Sequence, residues 1–232
     1  MAEDRARRVA VAIMAKAPRE GESKTRLIPP LSPAEAAALG AAFLRDAAQK
    51  ILDAAQAAPI DGFVAYSPPG SESLVAPLLP PGIELLPSRL PGLGASLCDA
   101  AADLLAAGYG AVCLVNADSP TLPAARLVEA ARALAGPGDR LVLGPAEDGG
   151  YYLIGIKQAH PGLFEGIAWS TGLVFRQTLD RAGELGLDPV VLPAWYDVDD
   201  LADLRRLIGE LEKNAAAAPH TAALLGRLVE KL

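Results

Sequence analysis

The chain has 232 residues, 51% hydrophobic and 21% charged, with a formal net charge of −7 and a mean hydropathy of +0.25. That length suits one α/β domain spanning residues 1–232, and no run approaches the ~18 consecutive apolar residues of a membrane span, so a soluble cytoplasmic protein is expected. Only two Cys and two His are present, which allow neither a disulfide framework nor a zinc spacing, and an acidic chain with no aromatic-interleaved basic stripe argues against a nucleic-acid partner.

The chain opens on a charged segment followed by seven apolar residues, 9–15. This run is too short for a secretory signal and reads as a first strand. Further Val-, Ile- and Leu-rich runs at 62–66, 111–116, 141–144, 151–156 and 189–192 read as strands buried on both faces. A helix is expected from Ser32-Pro33-Ala34-Glu35, where a capping box coincides with Pro at the first helical position, to about residue 58. Helical patterns follow near 95–107, 123–135, 171–185, 200–213 and 221–231. Strands alternating with helices predict an α/β fold with a mainly parallel sheet. The Pro-rich stretches 68–91 and 136–138 read as loops, and the Ala-rich stretch from Asn214 to Pro219 sets off 214–232 as a loosely attached helical appendage.

The first strand runs into a loop carrying Lys16, Arg19, Lys24 and Arg26, and residues 1–30 hold seven Lys or Arg against four acids. In open α/β sheets, ligands bind at the carboxyl ends of strands. The loop is not a P-loop, because Pro18 stands where that motif starts with Gly and Ser23 precedes Lys24. The apolar strand 111–116 ends in Asn116-Ala117-Asp118-Ser119-Pro120, so Asp118 reads either as a ligand for Mg²⁺ or Mn²⁺ or as a helix cap. Glu147-Asp148-Gly149-Gly150 is a tight-turn signal between two strands. Of Asp197-Val198-Asp199-Asp200, one acid can cap the next helix and another can hold metal. Gly92-Leu93-Gly94 can admit a ligand against backbone amides, and Trp169 can stack on a ligand or anchor the helix after it. Cations facing carboxylates around a divalent ion fit a bound pyrophosphate. His160 and His220 read as surface residues, and Cys98 and Cys113 as core.

Ala15-Lys16-Ala17-Pro18, Lys24-Thr25-Arg26-Leu27, Asn116 to Pro120, Gly144 to Leu153, Trp169-Ser170-Thr171 and Asp197-Val198-Asp199 resemble, in order, a bacterial family of GT-A-fold proteins. That family lies within the nucleotide-diphospho-sugar transferase superfamily, and its members are commonly labelled glycosyltransferases, including arsenosugar-biosynthesis types. The Lys24 loop is also similar to 2-phospholactate guanylyltransferase and to the molybdenum-cofactor guanylyltransferase. The resemblance implies catalytic roles for Lys24, Arg26 and Asp118. It puts nucleotide contacts at Ala15, Lys16, Arg19, Lys24, Thr25, Arg26, Gly94 and Asn116. Acceptor contacts fall at Asp148, Gly149, Gly150, Trp169, Ser170 and Thr171, and Mg²⁺ or Mn²⁺ at Asp118, Asp197 and Asp199. Where the family usually has Cys-Pro after the acid, this chain has Ser119-Pro120, which argues against a catalytic thiol.

Charge favours nucleotidyl transfer from a nucleoside triphosphate to a small phosphorylated or acidic acceptor. The alternatives are sugar transfer from a nucleoside diphosphate sugar, and a nucleotide-binding module without turnover. The oligomeric state is not legible.

Overall fold

Successive side chains of a strand point to opposite faces of its sheet. In β1 (Val9–Lys16), Val9, Val11 and Ile13 join one buried cluster while Ala10 and Ala12 join another. A strand with two apolar faces needs a helical layer on each, and the computed structural model, which describes residues 2–228, has both layers. After the short α1 (Ala2–Arg5) and β1 come α2 (Pro33–Ala55), β2 (Ile60–Ser67), α3 (Glu72–Val75), β3 (Ile83–Pro87), α4 (Leu93–Ala106) and β4 (Ala111–Asn116). The second half adds α5 (Ala124–Leu134), β5 (Arg140–Pro145), β6 (Tyr151–Ile156), α6 (Val174–Glu184), β7 (Asp188–Val191), α7 (Leu201–Lys213) and α8 (Pro219–Leu228).

The seven strands form one sheet in the order β3-β2-β1-β4-β6-β5-β7, parallel except for β6, which runs antiparallel to both β4 and β5. The fold class read from the sequence, an α/β domain with a mixed, mainly parallel sheet flanked by helices, is the observed one. The Asp148-Gly149 signal is a true hairpin turn, with a register shift at Gly144/Pro145. Leu44, Ile51, Leu127 and Leu134 from α2 and α5 cover one face of the sheet, and Leu97, Ala101, Leu104 and Ala182 from α4 and α6 cover the other.

A third cluster lies outside these layers. It joins Leu27 and Leu31 after the first loop, Leu39 and Phe43 of α2, Val198, and Leu204 and Leu207 of α7. This cluster brings the loop after β1 and the segment after β7 to one place.

Three expectations need correction. The Pro-rich stretch 68–91 holds α3 and β3, an edge strand too short and half-exposed to give a clear apolar run. The helix expected from 171 starts at Val174, because residues 168–172 form a turn in which Thr171 Oγ1 donates to Ala168 O at 2.7 Å. The last helix is docked rather than loose: Leu225 and Leu228 are buried, and the buried Asp46 of α2 accepts Thr221 N at 2.8 Å and Thr221 Oγ1 at 2.6 Å. Residues 229–232 of the expected appendage lie outside the described residues. Cys113 is fully buried, and burial pushes its thiol up to about 12, as befits a core residue. No helix among the described residues is long and apolar enough to cross a membrane.

Candidate functional site

Parallel pairing sets Met14 of β1 beside Asn116 of β4, so the chain leaves both strands at the same edge of the sheet. Lys24 reaches back into this edge from the short 3₁₀ turn Thr25–Leu27, whose buried Leu27 anchors it in the third cluster. Lys24 has a left-handed backbone, φ 49°, uncommon for a residue with a side chain. Its ammonium lies 2.7 Å from Asp118 Oδ1 and 3.8 Å from Asp199 Oδ1, and donates to Val198 O at 2.7 Å. The Phe43 ring centroid is 5.3 Å away. Arg26 Nη1 contacts Asp199 Oδ2 at 3.3 Å, yet this side chain is 74% exposed, against 9% for Lys24. The two cations therefore differ: Lys24 is enclosed and satisfied, whereas Arg26 is free to turn toward an anion.

The acids reach the crevice by two routes. Asp118 follows the carboxyl end of β4. Asp197 and Asp199 come from the strap between β7 and α7, which runs beside the end of β5 through Trp195 N to Pro145 O at 3.0 Å, and is tied to the β4 turn by Val198 N to Asp118 O at 2.9 Å. Asp200 caps α7, accepting Ala202 N at 2.7 Å and Asp203 N at 3.1 Å. So of the four-residue acid run, Asp200 takes the cap and Asp197 and Asp199 are left to the crevice. Behind the strap, the Tyr196 hydroxyl donates to Glu210, and Thr121 Oγ1 lies 3.3 Å from both. This side-chain network braces the turn carrying Asp118 against the strap, with no sequence signal beyond isolated polar residues.

Burial pushes the Asp197 carboxyl up to about 6, with repulsion from Asp148, Asp199 and Asp118 adding to the shift. Asp199 is also raised, by burial first, with Lys24 and Arg26 opposing. Asp118 and Asp148 thus press on both Asp197 and Asp199, where the nearby cations are Lys24 and Arg26. Among the described residues no three acidic, His or Cys side chains form a ready-made metal cage. Of the expected trio of Asp118, Asp197 and Asp199, the first and last share Lys24 between them.

The residues expected to touch an acceptor divide. Asp148 lies in the hairpin turn, where its Oδ1 accepts Gly150 N at 2.8 Å. Gly149 has φ 90°, and a Cβ there would sit 2.3 Å from Gly172 O, so only Gly fits. Trp169 packs its indole where a side chain at Gly94 would lie, 2.5 Å from that Cβ position, and meets Tyr151 edge-on with centroids 6.4 Å apart. Each fills space beside the other, so Gly94 is covered by an anchor residue rather than open backbone. Ser170 has a left-handed φ of 63° and, with Thr171, is exposed beside the hairpin.

Among the residues expected to contact nucleotide, Arg19 Nη2 donates to Ser71 Oγ at 2.8 Å, which ties the first loop to the start of α3. Lys16 is exposed, while Ala15 is buried and contributes backbone only. Thr25 opens the 3₁₀ turn, and Asn116 Oδ1 is buried without a partner. A cleft of about 280 Å³ lies here, lined by Lys16, Ala17, Glu22, Ser67 and Pro68. Another, of about 270 Å³, contains the Arg8–Asp61 ion pair at the opposite end of β1 and β2, away from this chemistry.

Residues 37–171, more than half of the chain, match the family model described as "Uncharacterized protein conserved in bacteria (DUF2064)". No curated protein matches the sequence. Among solved structures, a candidate nucleotide-diphospho-sugar transferase from Desulfovibrio desulfuricans G20 superimposes with a TM-score of 0.85 at 28% identity, covering 96% of this chain and 96% of its own. CMP:2-keto-3-deoxy-manno-octonic acid synthetase, solved with CTP, gives 0.57 at 12% identity, covering 89% of this chain and 99% of its own. The manganese complex of Rv0371c from Mycobacterium tuberculosis H37Rv gives 0.50 at 20% identity, covering 87% and 98%. The fold is that of the nucleotide-diphospho-sugar transferases.

Proposed function

The chain belongs to the bacterial DUF2064 family, and from that premise we propose that it is a metal-dependent nucleotide-binding transferase that moves a nucleotidyl group from a nucleoside triphosphate to a small phosphorylated or acidic acceptor. The observation that carries this reading is the meeting of Lys24 and Arg26 with Asp118 and Asp199 at the carboxyl edge of β1 and β4. Cations on one wall and carboxylates on the other suit a polyphosphate held through a divalent ion.

The donor set fits Mg²⁺ or Mn²⁺. It is all oxygen, Asp118 and Asp199 already share a cation in Lys24, and Mg²⁺ needs only one or two carboxylates when phosphates supply further oxygens. Asp118 and Asp199 would hold the ion, with Asp197 beside them; when bound, it neutralises phosphate oxygens and the charge that grows on the leaving pyrophosphate. Arg26, exposed and loosely held, orients the outer phosphates. In the transfer, an acceptor oxygen forms a bond to the α-phosphorus as the bond to the bridging oxygen breaks, and the pair leaves with pyrophosphate. Asp148 and the exposed Ser170 and Thr171 border the side from which the acceptor approaches.

A second reading, sugar transfer from a nucleoside diphosphate sugar, draws support from the likeness to the Desulfovibrio protein. A thermal-shift panel separates them. Triphosphates with Mg²⁺ or Mn²⁺ should raise the melting temperature more than diphosphate sugars do, and Asp118→Ala should remove the metal-dependent part and lower turnover at least a hundredfold. Equal metal-dependent shifts in Asp118→Ala would sink the site assignment, and a preference for a diphosphate sugar would favour the second reading.

A further inference from the structure

Lys24 is expected to hold phosphate, yet its ammonium already has close partners inside the protein. It donates to Val198 O at 2.7 Å, pairs with Asp118 Oδ1 at 2.7 Å and lies 3.8 Å from Asp199 Oδ1, and the side chain is 9% exposed. It lies between the two carboxylates that the functional reading assigns to a divalent ion. Two cations cannot share that gap, because both need the same oxygens and repel each other at short range. Deep removal of the ammonium without a replacement is equally unfavourable, since it leaves two half-buried carboxylates facing each other.

We propose, resting on the nucleotide reading above, that Lys24 is an internal stand-in for the divalent ion, exchanged for it when phosphate binds. Without nucleotide, the ammonium neutralises Asp118 and Asp199 and keeps metal out. A phosphate chain entering past Arg26 offers Lys24 a new anion. The ammonium moves to the phosphate, Asp118 and Asp199 are freed, and the ion that accompanies the nucleotide takes the gap.

The local structure suits this movement. The Lys24 backbone is left-handed at a residue with a side chain, a conformation that lasts only where surrounding contacts fix it. The lysine stem has four carbons with rotatable bonds, so the ammonium can shift by rotamer change while the turn after it stays anchored by the buried Leu27. The partners stay in place: Val198 is buried and bonded to Asp118 O, and α7 is capped by Asp200. Each ligand thereby prepares the other's site, which is a coupling free energy between metal and nucleotide.

The consequence runs against the usual effect of deleting a site residue. Lys24→Met should bind Mn²⁺ about tenfold more tightly than the wild type when no nucleotide is present, while its nucleotide affinity falls. Lys24→Gln keeps a donor for Val198 O and serves if Met impairs folding. The experiment is calorimetric titration of MnCl₂ alone into the wild type and both variants, with melting temperatures at matched Mn²⁺. It is repeated with whichever of ATP, GTP, CTP and UTP stabilises the wild type most. Tighter Mn²⁺ binding and a larger Mn²⁺-induced melting shift in the variants support the exchange. Mn²⁺ affinity equal to or weaker than the wild type's in both variants overturns it, leaving Lys24 as a purely structural ion pair. If no triphosphate shifts the wild type while the variants still gain Mn²⁺ affinity, the nucleotide reading fails and the competition between ammonium and metal stands.

Discussion

Asp197 shows how one residue's surroundings set its chemistry. It is half-buried, and Asp148, Asp199 and Asp118 all press on it, so its carboxyl holds a proton up to about 6 in the folded chain, against an ordinary value of 3.8. The folded state therefore binds this proton more firmly than the unfolded state, and the stability this confers is complete below about 4 and lost as pH rises through about 6. Asp197→Asn should remove that slope. Urea midpoints measured every half unit from pH 4 to 7 should show the wild type losing ground relative to the variant as pH rises, and added Mn²⁺ should recover part of the wild-type loss at pH 7. A constant gap between the two proteins across this range would mean that burial and the neighbouring acids do not raise the Asp197 carboxyl. Lys24 and Arg26 carry the same formal charge but play different parts, since one is enclosed by oxygens and the other is three-quarters in solvent.

Among the elements, the hairpin of β5 and β6 and the turn before α6 interlock through two glycines. Gly149 N donates to Ala146 O at 3.2 Å, Gly149 O accepts Phe175 N at 2.9 Å, and the Gly172 backbone lies where any Gly149 side chain would go. Gly149→Ala should cost about 2–4 kcal/mol, since a left-handed residue and a backbone collision add together. Gly21 has φ 74° with nothing near its Cβ position, so Gly21→Ala should cost only about 1 kcal/mol. Chemical denaturation of the two variants tests the difference; equal losses would show that the Gly172 contact yields freely. The hairpin was legible because Asp-Gly-Gly between two apolar runs has one economical turn geometry. Its partner loop was not, because the contact between Gly149 and Gly172 joins positions that no local pattern relates.

Across the whole molecule, the crevice depends on the third cluster, where α2, α7 and α8 hold the first loop and the strap together. Asp46 is the clearest fastening, 1% exposed and accepting two amides and a hydroxyl from the start of α8. Asp46→Ala leaves those donors buried without acceptors and should cost about 3 kcal/mol, read as a fall in melting temperature of roughly 10 °C. Proteolysis should then begin near residue 214; a variant with unchanged melting would mean that α8 contributes no stability. Local pattern along the chain was enough for six of the seven strands and the six longer helices, the sheet's mainly parallel character, the capping box at Ser32 and the acids and cations at strand ends. All of these follow from periodicity, propensity and turn chemistry acting within a few residues. Long-range packing set the rest: β6 enters antiparallel between β4 and β5, β3 completes the edge, Trp169 fills the space over Gly94, and Lys24 lies against Asp118. Those outcomes depend on which distant surfaces bury one another, and the ion pair in particular needs Leu27, Phe43 and Val198, far apart in the chain, to share one apolar cluster beneath it.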